Sequence, residues 1–228
     1  NKITYNNLGL IIIDEQHKFG VNQRKKLSDK GGNNCDVLVM SATPIPRTMM
    51  MTIYGDMDIS LIKSKPKNRK PIKTYSKNET KIDEVIKFIK SEILKKNQIF
   101  WVCPLIKESQ KIDHQSAIEK YKYLSKILKY NVDIIHGSMN KDERENVLNK
   151  FKEKKIDILV STTVIEVGID FPNANVIVIE NSNKYGLSQL HQLRGRVGRG
   201  EREASCILLF KAGLSENARK RITILKNT

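Results

Sequence analysis

The chain is poor in what would tie it to a membrane or to the outside of a cell. It has 3 cysteines in 228 residues. Cys35, Cys103 and Cys206 stand far apart, with no CxxC spacing and no neighbouring histidine, which argues against a disulfide framework and a zinc site. Cys103 and Cys206 fall in apolar runs and are expected as buried thiols. No apolar run is long enough to cross a bilayer, and no signal-peptide pattern opens the sequence, so a cytoplasmic protein without a membrane partner is expected. Acidic residues are in deficit: 25 Asp and Glu face 41 Lys and Arg, for a net charge of +16. That excess points to an anionic partner, nucleic acid first. Arginine is the rarer cation, ten of the 41, yet Arg194, Arg196, Arg199 and Arg202 fall within one short stretch. A general drift toward lysine does not explain that cluster. The phosphate-cradling pattern GxxxxGK[ST] is also missing.

What is present is an alternation of apolar, β-rich runs with helical spacing. The runs are Leu8–Ile13, Val37–Met40, Ile99–Val102, Val132–Ile135, Ile156–Val160, Val176–Ile179 and Cys206–Phe210. Ile82, Val85, Ile86, Ile89 and Ile93 mark one face of a helix, and Val147, Leu148 and Phe151 mark a second begun by Lys141-Asp142-Glu143. This alternation predicts an α/β protein built on parallel sheets. Residues 63–71, KSKPKNRKP, read as a linker. Residues 1–65, with two convincing strands, are half a domain; residues 66–228 carry enough strands for a whole one. The chain opens on Asn1 and almost at a core strand, as a fragment of a longer protein would.

Chemistry gathers at the ends of these runs. In LIIIDEQHKFG, residues 10–20, four apolar residues without polar alternation predict a strand covered on both faces. It ends in Asp14, Glu15, Gln16 and His17, where open α/β sheets bind ligands. An aspartate there suits a metal held on phosphates, and a neighbouring carboxylate can orient water. Ser41-Ala42-Thr43-Pro44 follows the next strand. Ser161-Thr162-Thr163, then Gly168 and Asp170, follow another, where hydroxyls at a strand end can seat a phosphate or simply cap a helix. In QLHQLRGRVGRG, residues 189–200, Arg196 and Arg199 are three apart and are expected on one side of a helical turn, with Gly195 and Gly198 permitting close approach to an anion.

Taken in order, DEQHKFG, MSATPIPRT, STTVIEVGIDFPNA and QLHQLRGRVGRG resemble motifs II, III, V and VI of the superfamily 2 helicases, and within them the RecG-type DNA helicases. The helicase module of transcription-repair coupling factors shares ATPIPRT and QLHQLRGRVGRG. DEQH, the tract Ile53-Tyr54-Gly55-Asp56-Met57-Asp58, Arg69-Lys70-Pro71-Ile72 and Val102-Cys103-Pro104-Leu105-Ile106 favour the RecG type. The resemblance implies RecA-like folds, with residues 1–65 the C-terminal part of the first helicase lobe and 66–228 the second. It implies ATP with Mg²⁺ as the fuel and branched DNA, forks or Holliday junctions, as the partner of a monomeric parent enzyme. Asp14 and Glu15 would be the Mg²⁺-linked and water-activating carboxylates, and Gln16 and His17 would couple the γ-phosphate to the first lobe. Gly168, Asp170, Gln192, Arg196 and Arg199 would serve the nucleotide, the two arginines as fingers. Ser41, Thr43, His136, Thr162 and Thr163 would serve DNA. Without the P-loop, the chain alone is expected to be inactive. A binding module without ATPase activity is the alternative of a different class.

Overall fold

The computed structural model describes residues 5–15, 30, 35–41, 58–62, 64, 70–104, 110–162 and 171–227, with backbone only for 110–114. The chain divides into two compact units, Asn1–Leu61 and Ile62–Thr228.

In the first unit, β1 (Leu10–Asp14) and β2 (Asp36–Met40) pair in parallel, with Asp14 opposite Met40. The expectation of a strand covered on both faces fails. Ile11 and Ile13 are buried, but Leu10 and Ile12 are 52% and 56% exposed, and Leu38 and Met40 beside them 47% and 41%. Among the described residues no element of this unit lies over that face, so apolar sequence continuity does not become two-sided burial.

The second unit is an all-parallel six-stranded sheet. Its strands are β3 (Ile72–Asn78), β4 (Gln98–Val102), β5 (Val132–Ile135), β6 (Ile158–Ser161), β7 (Ala174–Ile179) and β8 (Ala204–Phe210), in spatial order β3-β8-β7-β4-β6-β5. Every residue of β4, β6 and β7 is buried. Side chains alternate between two cores, as the pleat dictates. Ile99 and Trp101 of β4 join Val85, Ile89 and Ile93 of α1 (Ile82–Leu94) and Leu124 of α2 (Gln110–Ile127). Phe100 and Val102 join a second core. That core takes Phe151 from α3 (Lys141–Lys152), Leu190 and Leu193 from α4 (Leu187–Arg194), and Ile222 and Leu225 from α5 (Glu216–Asn227). The sheet is thus sandwiched between helix layers, which is the parallel α/β architecture the alternation predicts. Phe100, Phe151 and Phe171 form a ring trio with centroids 5.0 to 5.7 Å apart. Asn140 caps α3 reciprocally with Glu143, which fixes the helix start at the acidic turn.

β3 escapes sequence reading. IKTYSKN is mostly polar because it is an edge strand with a single neighbour, β8. Cys103 and Cys206 are buried as expected, and burial pushes the Cys206 thiol up to about 12. Among the described residues no helix is long and apolar enough to cross a membrane.

Two consequences are measurable. Phe151→Ala, which empties the centre of the ring trio, is expected to lower unfolding stability by about 3–5 kcal/mol in denaturant titration. The apolar face of β1 and β2 is expected to make the isolated chain self-associate. Ile12→Lys with Leu38→Glu should shift light-scattering mass toward the monomer, and a monodisperse unmodified chain would contradict this.

Candidate functional site

A parallel sheet sends every strand's carboxyl end to the same edge, so the motifs that follow strands become neighbours. In the first unit Asp14 ends β1 and Ser41 follows β2, one residue beyond Asp14's partner Met40. The two therefore stand side by side at a carboxyl edge. The chain turns sharply there. Glu15 adopts a left-handed φ of 49°, and its amide donates to Asp14 Oδ1 at 2.8 Å. A non-glycine residue in that region carries a conformational cost, which a functional turn commonly tolerates. Gln16, His17 and Thr43 lie outside the described residues, as do Thr163, Gly168 and Asp170. Among the described residues no three His, Cys, Asp or Glu side chains cluster as a metal site. Asp14 fits a Mg²⁺ that takes most of its oxygens from phosphates and water, which is how that ion is usually held.

In the second unit β5 and β6 are in register, Ile135 opposite Ser161, which makes His136 and Thr162 neighbours at the carboxyl edge. The Thr162 amide donates to the Ile135 carbonyl at 3.4 Å. His136 Nδ1 lies 2.9 Å from Ser138 Oγ. Thr162 is fully buried, and its hydroxyl, like that of Ser161, has no hydrogen-bond partner among the described residues. Buried hydroxyls left so are costly, by about 1–3 kcal/mol each. In this conformation Thr162 is closed to an external phosphate.

The arginine stretch lies at the opposite, amino edge of the same sheet. Here the expectation of a helical turn carrying both Arg196 and Arg199 fails. Helix α4 ends at Arg194 with Gly195 as its C-cap, and Gly198 is left-handed at φ 69°. The cause is packing against the sheet. The Gly198 amide donates to Ala174 O, and a Cβ at Gly198 would meet Ala204 Cβ at 2.9 Å and Ile72 Cγ1 at 3.2 Å. A Cβ at Gly200 would lie 2.7 Å from Pro172 O. These glycines admit the chain's own strands and loop rather than a ligand.

The four arginines divide into two kinds of work. Arg194 donates to Leu225 O at 2.8 Å and holds the end of α5. It also lies beside His191, whose pKa is lowered by burial and then by the guanidinium charge. Arg202 reaches the corner between α1 and β4. Arg196 is half-buried with Gln192, and Arg199 is exposed at the tip of the turn, its Nε donating to Gly195 O at 3.3 Å. Arg196 and Arg199 are the two that the sequence proposes as fingers for the γ-phosphate. The same sequence carries no signal for Arg202, because the acceptors lie more than a hundred positions away.

Thr162 stands at the carboxyl edge, while Pro172 O lies against Gly200 of the arginine turn at the amino edge. A second feature of the carboxyl edge is a cavity of about 540 Å³ lined by Thr80, Lys120, Tyr123, Glu180, Asn181 and Lys211, among others. Its lysine at 120 is already paired with Glu180 at 2.8 Å, which also accepts from Trp101 Nε1 at 3.0 Å.

The helicase conserved C-terminal domain family matches residues 80–201, more than half of the chain. The ATP-dependent DNA helicase RecG of Bacillus subtilis (strain 168) is 46% identical over 230 residues, covering 100% of this chain and 33% of that protein. The protein of the same name from Thermotoga maritima is 49% identical over 222 residues, covering 96% and 28%. The chain thus spans about a third of the length of these relatives. A structure of RecG bound to a three-way DNA junction superposes with a TM-score of 0.76 at 44% identity, covering 99% of this chain and 29% of that one. S. cerevisiae Dbp5, bound to RNA and ADP BeF3, shares the fold at a TM-score of 0.70 and 18% identity, covering 96% and 57%. The chain belongs to the helicase conserved C-terminal domain family, its six-stranded unit has the RecA-like fold of a helicase C-terminal lobe, and over its whole length it is similar to RecG helicases.

Proposed function

We propose that the chain is motor core of an ATP-dependent DNA helicase that remodels branched DNA, regressing forks and migrating Holliday junctions. Residues 1–65 would belong to the first helicase lobe and residues 66–228 would be the second. The observation that carries the reading is the likeness to RecG helicases over the whole chain, 46% and 49% identical to two of them, joined to a parallel sheet that gathers His136 and Thr162 at one edge and the arginine turn at the other.

In this reading Asp14 holds Mg²⁺ on the β- and γ-phosphates of ATP, and Glu15 orients the attacking water. Bound Mg²⁺ neutralises charge as the phosphoryl group departs. Gln16 and His17 relay the loss of the γ-phosphate, Gly168, Asp170 and Gln192 contact the nucleotide, and Arg196 and Arg199 meet the γ-phosphate. Ser41, Thr43, His136, Thr162 and Thr163 meet DNA phosphates. Thr162 must then be uncovered by the same movement that engages the arginines. Charge-assisted contacts of this kind are strong and geometrically demanding, which makes them suitable for a switch.

Two tests bear on it. The 228-residue chain lacks a phosphate cradle, so DNA-stimulated phosphate release by the purified chain is expected to be absent; measurable turnover would contradict the assignment. In the full-length gene product, Arg199→Ala is expected to lower DNA-stimulated kcat by at least about 10²-fold with DNA affinity largely retained. An equal loss of binding and turnover would instead make Arg199 a DNA contact and favour a binding module.

A further inference from the structure

The turn bearing Arg199 is fastened on both flanks to parts of the fold that do no chemistry. On the α4 flank, Arg194 is bonded to the last turn of α5. On the β8 flank, Arg202 Nη1 donates to Lys95 O at 3.2 Å, Lys96 O at 3.1 Å and Asn97 Oδ1 at 3.3 Å. We propose that Arg202 is the positioning residue of the arginine turn, holding Arg199 in register by fastening the turn to the corner between α1 and β4. The inference rests on the reading of Arg199 as the arginine that meets the γ-phosphate.

The corner is a stiff anchor. Lys95 and Lys96 follow the last turn of α1, where helix carbonyls lack partners and the dipole is negative, so a guanidinium is favoured. Asn97 is buried and held from two sides: its Nδ2 donates to Glu92 Oε2 at 2.7 Å, and Asn175 Nδ2 donates to its Oδ1 at 3.0 Å. Asn175 belongs to β7 and Gln98 opens β4, so Arg202 grips the frame of the sheet itself.

The lever to Arg199 is short. Only Gly200 and Glu201 intervene, and Gly200 is pressed against Pro172 O so closely that no side chain fits. A displacement at Arg202 therefore passes to Arg199 with little slack. The neighbouring ion pair, Lys73 to Glu203 at 2.8 Å, is more than half exposed on both sides and adds little restraint. All three acceptors surround the one nitrogen Nη1, so lysine at 202 keeps the charge and a multiple donor but sets it on a differently shaped arm.

The test uses the full-length gene product, with DNA-stimulated ATPase, ATP KM, DNA affinity and Tm measured for Arg202→Ala, Arg202→Lys, Arg199→Ala and the Arg199→Ala/Arg202→Ala double variant. A misplacement of about 1 Å can cost about 10²-fold, so Arg202→Ala is expected to lower kcat by about 10- to 100-fold, with KM and DNA affinity within about threefold. Arg202→Lys should fall between Ala and the unmodified protein. Because Arg202 acts through Arg199, the double variant should be no slower than Arg199→Ala alone. A merely structural role would lower Tm and multiply the two losses, and that result overturns the proposal. So does an unchanged kcat in Arg202→Ala while Arg199→Ala is crippled. If Arg199→Ala itself turns over normally, the finger reading fails instead.

Discussion

The organisation of the second unit depends on the parallel pairing of β4 with β6 and β7, in register with both from Ile99 onward. Backbone hydrogen bonds between these three strands fix which residues stand at each edge, and complete burial on both faces makes a slip expensive, since it would turn every apolar side chain to the wrong core. The register of β5 on β6 brings His136 and Thr162 together at the carboxyl edge, and the α4–β8 connection turns at the amino edge. Chemistry-bearing residues are thus sorted into two groups by the sheet before any side-chain contact is made.

The amino edge shows how a charged segment is kept in place without a core of its own. Nine residues hold four arginines, and mutual repulsion would spread them if each were left in water. Two are instead turned outward onto carbonyls of distant helices, Arg194 toward α5 and Arg202 toward α1. Two glycines let the backbone lie against Ala204, Ile72 and Pro172. The braces come from helices on opposite layers of the sandwich, so the turn inherits the rigidity of both.

Much of this was legible in the residues. Continuous apolar runs such as IFWV and VIVI declare central parallel strands, because both faces of such a strand are covered by core. The spacing of Val85, Ile86, Ile89 and Ile93 declares a helix laid on one of them. The two misread strands have a common origin. IKTYSKN was unreadable because an edge strand need not be apolar, and LIIID misled because its neighbours, not its own residues, determine how many faces are covered.

The sequence by itself determined the alternation of strands and helices, the acidic, hydroxyl and arginine segments that follow them, and the likeness to a helicase family, since these depend on local order and residue type. Only the tertiary structure decided which arginine braces and which projects, that Arg196 and Arg199 do not share a helix, and that Thr162 is shut away. Those properties depend on acceptors, strand neighbours and close approaches contributed by residues far along the chain, and no local pattern of side chains records them.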